Sequence, residues 1–420
     1  MLDRVRNIIA ILLHRSIGES MQDWDAIIIG AGPVGGYAAL QLANSGKRVL
    51  LVEEHLELGR PFQCAGLVTP EAMDKVGLEH TIQSSVVGAK MHSPNGTEVV
   101  IGTEDQIRTL VVCRKLFDQG IVRLAMAAGA VLWLNSKPTS LEKSADGITL
   151  TIDCQGELKS ISGKILIGAD GAHSWVRRTA RLGNPREWMV GFQIEITGYQ
   201  GSQEWLEMFT GRDIAPGLFA WIIPNGATHR IGMWARPEDL EGKSCEEYIA
   251  TLMNHQLWRH KFTNCRQTAR YCGPIPAGMV RRPFDDRILL IGDAAGLAKP
   301  TTGGGIGPGF KQVDLLLPGL LEGLESNVLS KKKLKKICRP LEQMRRDQER
   351  SRALRDFFVT TRSDDELNYY FELFSRPAVI DLINEKGDIE KPVSLGMALL
   401  KEVPEFRKIA IKAGFAVMFG

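Results

Sequence analysis

The 420-residue chain is predicted to adopt a mixed α/β fold. One domain has a parallel sheet gathered from separate stretches, a second has an antiparallel sheet, and the C-terminal region is helical. Three observations predict this. Apolar strands run into glycine-bearing turns near residues 25–36, 164–171 and 287–296. Between 190 and 235, short runs (190–197, 205–209, 218–223, 229–235) are separated by turn residues, the mark of an antiparallel sheet. Beyond 327 the pattern turns helical.

Composition removes several classes of function. Apolar residues make up 44% and charged residues 24%, which excludes wholesale disorder. With 52 Lys+Arg against 49 Asp+Glu, the chain has no nucleic-acid footprint. Its seven cysteines are odd in number, scattered, and never spaced C-x-x-C. That argues against a disulfide scaffold, a zinc ribbon or an iron–sulfur quartet and suits a reducing cytosol, with no metal expected. No apolar run reaches the roughly 18–20 residues that span a bilayer. Residues 1–20 have a basic start, but their apolar stretch at 8–13 stops at His14-Arg15. Leu2, Val5, Ile9 and Leu12 fall near helical spacing, so the segment reads either as a tail upstream of Met21 or as an amphipathic helix touching membrane or protein.

The first structural element is the most informative. A buried strand from Asp25 ends in Gly30, Gly32 and Gly35, spaced G-x-G-x-x-G. The first glycine permits the tight turn, the second lets a pyrophosphate approach the backbone, and the third lets the helix pack on the strand. A helix over 37–45, closed by Gly46, would offer its N–H groups and positive dipole end to that pyrophosphate. The next strand, 48–54, carries Glu53, 23 residues after Gly30. An acid there binds the adenosine ribose hydroxyls, and Glu54 is its solvated neighbour. Strand, motif, helix, strand and acid in this order predict a Rossmann-like dinucleotide site.

Further along, residues 113–130 read as a helix, and 148–154 with 157–161 as a hairpin about Gln155-Gly156. A strand leads to Asp170-Gly171, and another to Gly292-Asp293. The triplet Gly303–Gly305 precedes a helix over 310–317 that Pro318 should end or kink. Residues 331–355 hold eleven Lys/Arg against three Asp/Glu. They read as one long solvated helix, or as a face for anionic lipid or phosphorylated substrate. The expected organisation is an N-terminal extension (1–20), a discontinuous nucleotide domain (21–83, 106–184, 273–326), a substrate domain (84–105, 185–272) and a helical region (327–420).

These motifs, in this order, resemble the FAD-dependent oxidoreductases of the para-hydroxybenzoate hydroxylase fold. The resemblance implies FAD as cofactor and a β-meander at the hairpin. It places Asp170-Gly171 near the pyrophosphate, Asp293 on the ribityl hydroxyls and Arg114 on the phosphates. Gly305 and Ile306 are expected at the flavin, and the N-terminus of the helix that follows, aimed at the flavin pyrimidine, would favour the negative charge of reduced flavin.

Within that fold the chain resembles the geranylgeranyl reductase family. Residues 61–68 (PFQCAGLV) match its cysteine-glycine segment, bringing Cys64 and Ala65 to the flavin. Residues 217–224 (GLFAWIIP) match an aromatic-x-Trp-x-aromatic-Pro motif, with Phe219 for the usual Tyr, Ile223 for the usual Phe, and Trp221 and Pro224 retained. Ile275-Pro276 also fits, and Gly296 stands where the hydroxylases usually carry His.

The resemblance implies reduction of carbon–carbon double bonds in isoprenoid chains, most closely the geranylgeranyl chains of archaeal-type ether lipids. An isolated alkene accepts hydride poorly, so a proton must arrive too. Cys64 either donates or positions it or packs as a small residue against the flavin, and His55 and His173 are other titrating groups. Phe219, Trp221, Ile222 and Ile223 are expected to wall an apolar channel. The partners expected are an isoprenoid lipid, the cytoplasmic face of a membrane touched peripherally, and an electron donor: NAD(P)H, ferredoxin or a deazaflavin. Two other readings are an aromatic monooxygenase, which the missing His disfavours, and a quinone-reducing or electron-transfer flavoprotein, whose iron–sulfur cysteines are lacking.

Overall fold

The computed structural model describes residues 24–60 and 64–386, with positions 398, 401, 403 and 405 beyond. The N-terminal extension, Pro61 to Gln63 of the cysteine segment, and an apolar C-terminal stretch (409–419) lie outside the described residues.

Strand β1 (Trp24–Ile29) enters the glycine turn, helix α1 (Pro33–Asn44) follows, and β2 (Val49–Val52) returns parallel to β1. Proline at the first helical position, with no N–H to lose, starts α1 four residues earlier than the pattern suggested. Gly46 then takes the left-handed conformation (φ +74°) just past its end. Short strands β3 (Leu67–Val68), β4 (Ile82–Val86), β5 (Gly88–His92), β6 (Glu98–Gly102) and β7 (Thr109–Val112) lead to helix α2 (Arg114–Ala127). Then come β8 (Val131–Trp133), β9 (Ser136–Lys143), β10 (Ile148–Cys154) and β11 (Glu157–Gly168).

The strand over 157–161 and the strand leading to Asp170 are one twelve-residue strand, β11. Its first half pairs antiparallel with β10 and its second half parallel with β1. They join at Gly163, whose absent Cβ would lie 3.1 Å from Ile27.

Residues 187–277 supply β12 (Glu187–Thr197), β13 (Trp205–Gly211), β14 (Ala215–Asn225), β15 (Thr228–Ala235), helix α3 (Cys245–Asn254) and β16 (Arg266–Ala277). The chain returns through β17 (Phe284–Asp285) and β18 (Ile288–Leu290) into α4 (Ile306–Glu325). Three sheets result. An eight-stranded one runs β17-β18-β11-β1-β2-β8, with β10 and β9 attached through β11. A seven-stranded one runs β16-β12-β15-β14-β13-β5-β6, and a small one β3-β7-β4. The seven-stranded sheet is antiparallel except where β5, from the earlier stretch 84–105, pairs parallel with β13.

Two expectations need correction. Pro318 lies inside α4, which runs on to Glu325. Its ring is on the exposed face, so the carbonyl it leaves unbonded can reach water, while Phe310, Val313, Leu316, Leu320 and Leu324 carry a continuous buried stripe past it. The basic run is two helices, α5 (Lys331–Ile337) and α6 (Leu341–Arg355), broken at Arg339-Pro340. Its last arginines are not solvated: buried Arg355 pairs with Glu187 (3.0 Å) and Asp356 (2.6 Å). A π-turn over Asp356–Thr360 and helices α7 (Asp364–Phe374) and α8 (Pro377–Lys386) follow, and Leu382 and Ile383 pack near Ile101. No described helix is long and apolar enough to cross a membrane.

Candidate FAD site and its substrate face

The glycine turn is held as tightly as its spacing requires. Gly30 adopts φ +99°, and a Cβ there would meet the carbonyl oxygen of Ala169 at 2.4 Å. A Cβ on Gly35 would lie 2.0 Å from the carbonyl oxygen of Gly30, so α1 crosses β1 backbone to backbone. Gly32, the N-cap of α1, faces open space, with no atom within 4 Å of a Cβ. Two of these glycines thus permit close packing, and the third leaves the helix N-terminus open, where a phosphate would find free N–H groups.

Glu53 lies just past β2. One carboxylate oxygen accepts the Ala31 N–H (2.9 Å); the other accepts the His55 N–H (3.0 Å) and lies 2.6 Å from the His55 ring. An ionised carboxylate has about four acceptor positions, so capacity remains for ribose hydroxyls. Glu54 is exposed.

Asp170 touches the same turn, its Cα lying 2.8 Å from where a Gly30 Cβ would be. One of its oxygens accepts the Val176 N–H (3.0 Å), and the other is buried without a partner. Gly171 follows with φ +69° and open space around it. His173 is exposed beyond.

Arg114 opens α2 and makes a two-pronged bond to Asp118 (3.0 and 2.8 Å). Burial works against its charge, but Asp118 and the Cys64 thiol beside it outweigh that and hold its pKa above the ordinary value. The Cys64 sulfur also accepts the Gly66 N–H (3.3 Å).

Asp293 is the second residue of a tight turn after β18 (Gly292–Ala295) and faces the N-terminus of α4. A Cβ on Gly305, the N-cap, would be 2.5 Å from its carboxylate, and Ile306 is the buried first helical residue. Burial pushes the Asp293 carboxyl up to about 6, with Arg114 pulling the other way.

On these observations the residues fit FAD. Gly32 and the start of α1 would receive the pyrophosphate, Glu53 the ribose and Asp293 the ribityl hydroxyls, which are donors that a desolvated carboxylate needs. Asp170 brings an orphaned buried oxygen to the same cleft.

Beyond the cleft lies one face of the seven-stranded sheet. Phe219 and Trp221 are half-buried on β14. The Trp221 indole N–H donates to Gln193 (3.2 Å), and its ring packs against Gly232 of the neighbouring strand, where a Cβ would be 2.4 Å away. Phe219 meets Trp221 and Trp234 edge-on, with centroids at 6.3 and 5.8 Å. A Cβ on Gly303 would lie 3.5 Å from the Trp234 ring, so the glycine triplet borders this aromatic group. Ile223 is buried with Val86, Val111 and Ala65 where the two domains join. Ile222, expected on the same wall, points to the opposite face and packs with the core under α3, because successive strand residues alternate.

Three supporting residues were missed from sequence. Buried Arg230 on β15 bonds Glu195 (3.1 Å) and donates to the carbonyl of Ala65 (2.7 Å), tying the cysteine loop to the sheet. Fully buried Gln312 on α4 accepts from Gly292 N–H (2.8 Å) and donates to the Leu290 carbonyl (3.2 Å), fixing the Gly-Asp turn. Asp118 was the third, although its i to i+4 spacing from Arg114 was available as a signal.

The family described as "FAD binding domain" matches residues 23–325. The digeranylgeranylglycerophospholipid reductase of Methanosarcina acetivorans is 30% identical over 356 residues, covering 81% of this chain and 86% of its own. The protein of that name from Methanothermobacter thermautotrophicus is 31% identical over 300 residues, 68% of this chain and 74% of its own. Among solved structures, a geranylgeranyl bacteriochlorophyll reductase-like protein of Thermoplasma acidophilum has the same fold, with a TM-score of 0.83 at 21% identity over 94% of this chain and all of that one. The chain is an FAD-dependent oxidoreductase of the FAD-binding domain family and, within it, belongs to the geranylgeranyl reductases.

Proposed function

We propose that this enzyme saturates carbon–carbon double bonds in the geranylgeranyl chains of an archaeal-type ether lipid, working in peripheral contact with a membrane. The observation that carries the reading is the pairing of an aromatic sheet face (Phe219, Trp221, Trp234) with the Cys64–Gly66 loop that Arg230 fastens against it. A long alkene laid on that face would meet mainly carbon, beside the Trp221 indole and the Gln193 amide, with the Cys64 sulfur nearby.

FAD held by Gly32, Glu53 and Asp293 would, once reduced, be the source of hydride. The chain's own residues supply the rest. Phe219 and Trp221 exclude water and orient the apolar chain. Arg230 and the Gly66 N–H fix the cysteine loop, which sets the Cys64 sulfur beside the Arg114 guanidinium. The thiol is the proposed donor to the alkene carbon not attacked by hydride. The redox partner is NAD(P)H, ferredoxin or a deazaflavin, and no second dinucleotide motif singles one out.

The test is anaerobic incubation of the dithionite-reduced holoenzyme with a geranylgeranyl glycerophospholipid, read by mass spectrometry. Products heavier by two mass units per double bond are expected. An unchanged lipid, together with oxygen-dependent gain of sixteen mass units on an aromatic, would overturn the reading.

A further inference from the structure

At the β17 edge of the eight-stranded sheet, away from the residues above, a cavity of about 610 Å³ opens between the loop before β17 and helices α5 and α6. Its floor is apolar and buried: Met279, Phe284, Cys338 and Leu341. Its rim is basic, with Arg281, Arg282, Lys331, Lys332, Lys335 and Arg345 facing only Asp286 and Glu342.

Part of the positive charge in this region is neutralised within the fold. Lys331 pairs with Asp285 (2.8 Å) and Lys333 with Glu322 (2.5 Å), and Asp286 already accepts the Lys331 N–H (2.5 Å). Arg281, Arg282, Lys332, Lys335 and Arg345 have no salt-bridge partner among the described residues. Five unneutralised cations therefore ring a buried apolar floor.

We propose that this cavity binds the phosphate-bearing headgroup of an anionic lipid and fastens the enzyme to the membrane surface. The chemistry is amphiphilic on both sides. The cations match a phosphodiester, and the floor matches the glycerol carbons and first methylenes beneath it. An acidic protein surface would satisfy the rim but leave the floor uncovered. The proposal rests on the peripheral-attachment reading above and assigns it a place.

The test compares three full-length holoenzymes in co-sedimentation with vesicles of phosphatidylcholine alone and of phosphatidylcholine mixed with phosphatidylglycerol. The first is wild type. The second carries Arg281→Gln, Lys335→Gln and Arg345→Gln on the cavity rim. The third carries Lys336→Gln, Arg339→Gln and Arg346→Gln, which remove equal charge from exposed positions outside the cavity. Retained flavin absorbance shows that each is folded. A cation near an anionic surface is worth about a factor of five, so the rim variant should bind mixed vesicles on the order of 100-fold more weakly. The control variant should stay within a few-fold of wild type.

Equal loss in both variants would mean diffuse attraction; attachment would stand and the cavity would be wrong. Wild type that ignores both vesicles would overturn attachment and this proposal together, leaving the reductase reading to its own assay. A rim variant that keeps vesicle binding but loses flavin reduction by an acidic electron-carrier protein would assign the cavity to a protein partner and overturn the lipid proposal.

Discussion

Replacing Asp293 by Asn should move two measurements in opposite directions. The side chain keeps its shape and loses its charge. In the folded protein burial raises the carboxyl from 3.8 to about 6, so above pH 6 the protein holds a desolvated carboxylate that the unfolded chain would hydrate. At 1.36 kcal/mol per pH unit that difference is worth up to about 3 kcal/mol. The sign follows from proton linkage: the native state binds the proton more tightly, so this contribution destabilises fully above pH 6 and is relieved as pH falls toward 3.8. Apo Asp293→Asn should therefore be more stable than apo wild type at pH 7.5, and the advantage should disappear near pH 4. FAD binding should go the other way. The amide loses charge-assisted acceptance of ribityl hydroxyls, worth roughly 1.5–3 kcal/mol, or about 10- to 150-fold in Kd. Urea denaturation of the apoprotein at both pH values and flavin fluorescence titration make the two measurements. If Asp293→Asn lowers apo stability at pH 7.5 while leaving FAD affinity untouched, the carboxylate is a structural hydrogen-bond partner and the reasoning fails.

Other outcomes follow from the same geometry. Gly35→Ala places a Cβ 2.0 Å from a backbone oxygen, so α1 must shift and flavin content at purification should drop sharply; full yellow protein would refute the tight crossing. Asp118→Ala leaves the Arg114 guanidinium buried without its carboxylate and should cost about 3–5 kcal/mol in thermal or urea unfolding. Cys64→Ala should slow alkene reduction by already-reduced enzyme in anaerobic single turnovers without changing FAD binding, and Cys64→Ser should recover part of the rate; wild-type rates in both would assign the proton to water. Trp221→Ala should weaken binding of twenty-carbon chains about 10-fold, roughly 1.4 kcal/mol, and ten-carbon chains much less, since it removes wall rather than chemistry. An equal effect on both lengths would argue against a channel lining.

What could be read from sequence was local. The glycine spacing, Glu53 and the Gly-Asp turn announce themselves because each needs a residue type that only that backbone or ligand geometry requires. The hairpin at Gln155-Gly156 is legible for the same reason. The continuation of α4 through Pro318 was not, because the local rule that proline ends helices gives way when the ring faces solvent and the buried stripe continues. Arg230 and Gln312 were invisible because their partners, Ala65 and Gly292, lie 165 and 20 residues away and are backbone atoms. Ile222 was misplaced by reading a run of apolar residues as one surface. The basic helices looked uniformly solvated, yet Arg355 reaches Glu187 across 168 positions.

The indole of Trp221 packs against Gly232 and is held at its pyrrole end by Gln193. Strand backbone limits its rocking from below, the amide bond limits its rotation, and Phe219 closes its edge. The ring has therefore surrendered most of its torsional freedom during folding. Ordering a mobile side chain at an interface costs about 0.5–1.5 kcal/mol. An apolar chain meeting this surface does not incur that cost at the tryptophan. A larger residue at 232 would lift the ring and restore its motion, so one missing methyl group on the neighbouring strand sets how ordered this surface is before any ligand arrives.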